Sequence, residues 1–192
     1  MTEEAPMNIQ AILNIPVLET ERLILKPLAE EHFAEVMVGL GDKEVRHGML
    51  MPAYDTRERQ MKWWDRFMQA HRKGEAAQWA AFQKDRNVYT GLFTVKEIDH
   101  NIHRGELGYS ILKPFWGGGM ASEGVKCVME YVFKEVNLHT VIAQILPSNY
   151  ASLRVVSKMG FEQEAHFHEA HFYQGEYYDL LQYYRINPAH KN

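Results

Sequence analysis

Lys113-Pro-Phe-Trp-Gly-Gly-Gly-Met-Ala-Ser-Glu-Gly124 is the stretch that decides how this chain is read. Glu106-Leu-Gly-Tyr-Ser-Ile-Leu112 precedes it and reads as a strand. Ala121 to Val136 follows it, with apolar residues at helical spacing. A strand, a glycine turn and a helix in that order aim several backbone N–H groups and a helix N-terminus at one point, where an anion is stabilised. Three consecutive glycines cost backbone entropy on folding, and they let the main chain approach a ligand closely. A diphosphate suits such a cradle. The turn is not a nucleotide P-loop, because Gly-Lys-Ser/Thr is missing. A dinucleotide fingerprint fails too, since Ser122 stands where its third glycine would be.

Outward from this turn, the chain alternates short strands and helices. Residues 1–17 read as a loose N-terminal arm. Arg22 to Lys26 alternates as a first strand, stopped by Pro27. Glu30 to Leu40 carries Phe33, Val36, Met37 and Leu40 at helical spacing. Thr56 caps a second helix that runs to about Arg72. Gln78 to Gln83, Val88 to Glu97 and Arg104 to Leu112 form an antiparallel meander with turns at Lys84–Asn87 and Asp99–His103. After the glycine turn and its helix come a strand from Thr140 to Leu146 and a short helix capped by Ser148 or Asn149. A hairpin closes the chain, Phe161 to Ala170 against Tyr177 to Ile186, turning at Gln174-Gly175. The order β-α-α-β-β-β-α-β-α-β-β predicts an α/β (α+β) domain, a mixed sheet with helices on both faces. It spans residues 18–187, with a tail at 188–192.

A chain of 192 residues is long enough for one well-filled core. A net charge of −4 offers no basic field for nucleic acid. The single Cys127 excludes an internal disulfide and reads as a buried structural thiol in a reducing compartment. No apolar run reaches the ~20 residues of a membrane span. Glu3 and Glu4 precede any apolar stretch, unlike a secretory leader. The reading is a cytoplasmic protein with neither nucleic acid nor membrane as partner. His166 and His168 share a strand face and His171 follows, yet no cysteine or carboxylate completes a recognisable ligand spacing. No metal is expected.

Three motifs together resemble the GNAT N-acetyltransferases. The glycine turn is similar to their acetyl-CoA signature Gln/Arg-x-x-Gly-x-Gly/Ala, here Trp116-Gly-Gly-Gly119-Met-Ala121, continued by Ser122-Glu123. Leu18-Glu-Thr-Glu-Arg-Leu-Ile-Leu-Lys-Pro27 resembles the first strand of the RimJ/RimL-like branch, the ribosomal-protein alanine acetyltransferases. Asn149-x-x-Ser152 with Lys158-Met-Gly-Phe161 resembles that branch's closing motif. The resemblance covers roughly residues 18–186. It implies acetyl transfer from acetyl-CoA to a primary amine, most specifically a protein or peptide N-terminus, without a metal. It also leaves room for a homodimer. Other acceptors on the same scaffold are polyamines, amino acids and antibiotics. A CoA-binding module without turnover is the rival from another class.

The chemistry assigns roles. The N–H groups of Gly117, Gly118, Gly119, Met120 and Ala121 face the pyrophosphate, with Trp116 and Ser122 at the ends of the signature. The resemblance implies that a backbone N–H near Ile111 or Leu112 polarises the thioester carbonyl. It also makes Glu106 the base for the amine, directly or through water. Tyr109 lines the acetyl pocket or only packs. Ser152 is the branch's donor to the leaving thiolate, because Val156 stands where many members carry a tyrosine. Asn149 reads as a bond to the pantetheine arm, a helix cap, or both. Glu123 would repel a diphosphate and is expected to point away. Two adjacent tryptophans, Trp63 and Trp64, are not expected to share one core, which leaves one for the amine pocket or a partner surface. With no well-placed nucleophile, transfer is expected to be direct. Residues 42–76 carry no decodable motif.

Overall fold

The computed structural model describes residues 6–190. The chain opens with a short helix α1 (Ile9–Leu13), then β1 (Leu18–Glu19) and β2 (Leu23–Pro27). Three helices follow: α2 (Phe33–Gly41), α3 (Lys43–Gly48) and α4 (Arg57–Arg72). The meander is β3 (Ala77–Gln83), β4 (Val88–Asp99) and β5 (Arg104–Ile111). Then come α5 (Met120–Lys134), β6 (Thr140–Ile145), α6 (Tyr150–Lys158), β7 (Glu162–Tyr173) and β8 (Glu176–Ile186).

The strands form one sheet in the order β1-β2-β3-β4-β5-β6-β8-β7. Every neighbouring pair is antiparallel except β5 and β6, which are parallel and joined through α5. Alternate residues of each strand feed two layers. On one face Trp79, Phe93, Leu107 and Ile111 pack with Ile12 of α1, Val125 and Val128 of α5, and Val155 and Val156 of α6. On the other, Ala80, Phe82 and Leu92 pack under Val36 and Leu40 of α2 and under Trp63 and Trp64 of α4. A Cβ on Gly124 would meet the Phe93 ring at 2.2 Å, so this glycine sets how closely α5 lies on the sheet.

The mixed sheet and the meander follow the sequence expectation. The loose arm does not. Ile12 is fully buried, the Tyr131 hydroxyl donates to the Ala11 carbonyl at 2.5 Å, and the Trp79 indole donates to the Pro16 carbonyl at 2.9 Å. Ile9, Ile12 and Ile15 recur every three residues, but the segment is too short for periodicity to announce a helix. Residues 1–5 of the arm and 191–192 of the tail lie outside the described residues. The sequence reading also passed over α3, whose N-terminus Asp42 caps by accepting from the N–H groups of Glu44 and Val45.

One irregularity positions the site. β5 and β6 pair only from Arg104↔Thr140 to Glu106↔Ile142. Beyond that rung β5 stays with β4 as far as Ile111, and β6 stays with β8 as far as Ile145. The sheet therefore forks after Glu106.

Candidate active site

The glycine turn lies beyond the end of β5, beside the fork. Gly117 and Gly119 hold φ of +77° and +81°, a left-handed backbone that suits glycine. Gly119 is the N-cap of α5, so the first N–H groups of that helix have no partner within it. A Cβ built on Gly117 or Gly118 would stand in open space. The cradle thus combines unpaired N–H groups, a helix dipole and room, which fits a diphosphate. Met120 buries its side chain, so its share in the cradle is its N–H.

The turn is clamped from β2. Arg22 donates through Nη1 to the Gly118 carbonyl at 2.7 Å and forms an ion pair through Nη2 with Glu123 at 2.6 Å. The Thr20 hydroxyl and the Arg22 backbone N–H also donate to Glu123, at 2.5 and 2.7 Å. Burial opposes ionisation of Glu123, but these hydrogen bonds outweigh it and hold the carboxyl below its usual range. Glu123 therefore turns to the β1–β2 connection and away from the mouth of the turn, as expected. Arg22 is a positioning residue the sequence reading quoted without a role. Trp116 is half exposed and donates from Nε1 to the Ile111 carbonyl at 2.6 Å.

Backbone direction separates Ile111 from Leu112. The Leu112 N–H is spent on the Thr90 carbonyl at 2.8 Å. Its neighbour Ile111 points its main chain the other way, toward the fork, as the Trp116 bond to its carbonyl also shows. Leu112 is thereby removed as a carbonyl-polarising donor.

The walls of the fork differ. Tyr109 shares the α5 face with Leu107 and Ile111 and stacks on Phe93 at 6.2 Å. Burial pushes its phenol up to about 12, and the Ser152 hydroxyl across the fork moderates that rise. The two do not meet in good hydrogen-bonding geometry, so the Tyr109 hydroxyl is a buried oxygen without a partner among the described residues. Ser152 lies in the first turn of α6, where Asn149 caps by accepting from the Ser152 N–H at 3.1 Å. Asn149 also donates from Nδ2 to the Gly48 carbonyl of α3 at 3.4 Å. Its cap role is therefore real.

Glu106 occupies the last paired rung and faces the opposite side, toward α2 and α4. Its carboxylate is mostly buried and pairs with Lys96 at 2.8 Å. The structure thus brings Tyr109 near Ser152 without a hydrogen bond between them and sets Glu106 on the other face of the sheet.

Residues 22–162 match the acetyltransferase (GNAT) domain. The chain belongs to the GNAT family. It is an acetyl-CoA-dependent N-acetyltransferase, and the forked mixed sheet is the GNAT fold. The uncharacterized N-acetyltransferase YoaA of Bacillus subtilis (strain 168) is 25% identical over 173 residues, covering 90% of this chain and 98% of the relative. The ribosomal protein uS5-alanine N-acetyltransferase of Escherichia coli (strain K12) is 26% identical over 97 residues, half of each chain. Among solved structures, spermidine N-acetyltransferase from Vibrio cholerae with CoA and spermine superposes with a TM-score of 0.78 at 18% identity, over 86% of this chain and 95% of that one. The RimL ribosomal alpha-N-protein acetyltransferase with coenzyme A gives 0.78 at 21% identity, over 91% and 98%.

Within this GNAT frame several sequence expectations need correction. Trp63 and Trp64 are both buried, at 7% and 5% exposure. Trp63 packs on Phe67 and Tyr54, at ring separations of 4.3 and 6.0 Å, while Trp64 meets Phe33 at 5.1 Å. The connection before α4 supplies Tyr54 and so covers a second side of the helix, which allows adjacent tryptophans to share one core. Cys127 is half-buried beside the Glu19 carbonyl, not in the core, and burial pushes its thiol up. It lies on the β1 side of α5, far from acting as a nucleophile in the fork. The His166–His168 pair does gain a carboxylate, since Asp179 on the neighbouring strand takes both imidazoles at 2.7 and 3.0 Å. Strand pairing, invisible to linear spacing, brings it there.

Among the described residues, no helix is long and apolar enough to cross a membrane.

Proposed function

We propose that this chain acetylates the α-amino group of a protein or peptide N-terminus by direct transfer in a ternary complex with acetyl-CoA. The fork after Glu106 carries the reading. One strand edge, one carboxylate and one hydroxyl pair converge on it from different sides. Acetyl-CoA supplies the activated acetyl thioester. The N–H groups from Gly117 to Ser122 hold its diphosphate, and Asn149 bonds the pantetheine arm. The Ile111 N–H is available to the thioester oxygen as negative charge develops there. Glu106 takes a proton from the acceptor ammonium through water, which frees the nitrogen lone pair. A C–N bond then forms to the acetyl carbon as the C–S bond breaks, and the second proton on nitrogen leaves to solvent as the amide forms. Tyr109 or Ser152 returns a proton to the departing sulfur and regains one from solvent. Likeness to the ribosomal-protein enzymes supports an N-terminal acceptor.

The test measures thiol release with acetyl-CoA over a panel of N-terminal peptides and spermidine. Peptide acetylation is expected, and Glu106→Gln should lower kcat by about 10²–10⁴-fold while acetyl-CoA still binds. Turnover of spermidine without any peptide overturns the acceptor. Loss of acetyl-CoA binding in the variant removes Glu106 as the base.

A further inference from the structure

Arg46 is a buried cation without a counterion. It is 7% exposed, and no hydrogen bond or ion pair to its side chain occurs among the described residues. Its Nε is sealed from solvent and unpartnered. An isolated buried charge is strongly unfavourable, and protein interiors almost always pair such groups. The nearby acids are committed elsewhere. Asp42 caps α3, and Glu44 holds Lys113 at 2.5 Å. Burial pushes the phenol of Tyr54 up, and the charges of Arg66 and Arg46 offset part of that rise.

The place of α3 gives this charge a purpose. Its N-terminal part is tied to Lys113, just past the end of β5. Its C-terminal Gly48 accepts from Asn149 at the start of α6. His47 lies 6.1 Å from the rings of Tyr173 and Tyr178 on the closing hairpin. The helix therefore bridges the two arms of the fork. Lys43, Glu44 and His47 are exposed, whereas Val45 and Arg46 are buried beneath it. Met49, Met51 and Tyr54, which follow, pack with the α2 and α4 layer, on the face that Glu106 shares.

We propose that Arg46 binds a carboxylate of the acceptor, so that the amine acetylated here belongs to a molecule carrying an anion close to it. The guanidinium fork matches a carboxylate with two parallel N–H donors. The carboxylate is either the α-carboxylate of a free amino acid or an acidic side chain near a peptide N-terminus. A polyamine would bring further positive charge under an unpaired guanidinium, which disfavours it. The assignment rests on the acetyltransferase reading of the same site.

Paired acceptors test it: alanine against alaninamide, and an Ala-Asp against an Ala-Asn peptide amide. In at least one pair the carboxylate member should have a KM about 10- to 100-fold lower, and that pair identifies the source. Arg46→Met should abolish the difference and raise the Tm of the unliganded protein by removing an unpaired buried charge. Arg46→Lys, which lacks the planar fork, should retain only part of the preference and covers the case in which the Met variant fails to fold. A readout independent of turnover is thermal stabilisation by N-acetylalanine and N-acetyl-Ala-Asp amide over their neutral counterparts. If no amine is acetylated but these anions still stabilise, the anion site stands and the transfer reading falls. Equal KM values in both pairs, or a full carboxylate preference retained by Arg46→Lys and Arg46→Met alike, overturn the proposal.

Discussion

The two faces of the forked sheet differ in what they offer a ligand. On the α5 side the proposed site is main chain: Gly117 and Gly119 in left-handed turns, and the open start of α5. On the α2–α4 side the proposed site is made of side chains: Glu106 paired with Lys96, and Arg46, whose Nε has no partner among the described residues. A main-chain site constrains the sequence to glycines at fixed spacing, whatever the protein goes on to acetylate. A side-chain site can be built from any residues that reach it. The difference separates what a family shares from what one member selects.

Substitutions in the two layers should divide along this line. Trp64→Ala removes a buried indole from the acceptor-side layer and should cost about 3–5 kcal/mol in urea unfolding. The KM for acetyl-CoA of the remaining folded protein should not move. A loss below about 1 kcal/mol would return Trp64 to the role of an accessible pocket residue. Gly124→Ala acts on the other layer. Its new Cβ meets the Phe93 ring, and relief by lifting α5 should cost about 1–3 kcal/mol. Because α5 begins at the cradle, the KM for acetyl-CoA should rise with the instability. Adding Phe93→Leu should recover part of both, and a double mutant no better than the single one would break the link between α5 height and cofactor grip.

The same division explains what was legible in the sequence. The meander, the glycine turn and the closing hairpin follow from alternation, from glycine spacing and from Gln174-Gly175, all local signals. The fork was not legible, because it consists of pairing that stops after Glu106, and no residue type marks an absent rung. Ile111 and Leu112 were equal candidates until strand direction committed the Leu112 N–H to Thr90. Tyr109 and Ser152 lie far apart in the chain and come near each other only through the fold. Arg46 sits in a stretch with weak periodicity, where a charged residue reads as a solvated one. Its signal is burial, which only the fold supplies.

The smallest effect expected concerns the clamp that joins the faces at the sheet's near edge. Glu123 holds Thr20 and Arg22 and so fixes the carbonyl side of the glycine turn. Its carboxyl is kept below the ordinary range in the folded protein. The unfolded chain therefore binds the proton first as the solution is acidified. The clamp's contribution is fully present above the ordinary carboxylate value and is lost as pH falls through the lower folded value. Asp99 and Asp179 are also held low, Asp179 at about 2, so wild-type stability will fall in acid for several reasons at once. Glu123→Gln isolates one of them. It should cost about 1 kcal/mol at neutral pH, and the gap to wild type should close as pH falls below the ordinary carboxylate range. A gap that stays constant over that fall in pH would mean the carboxylate charge is irrelevant to the clamp, leaving Arg22 and Gly118 to hold the turn alone.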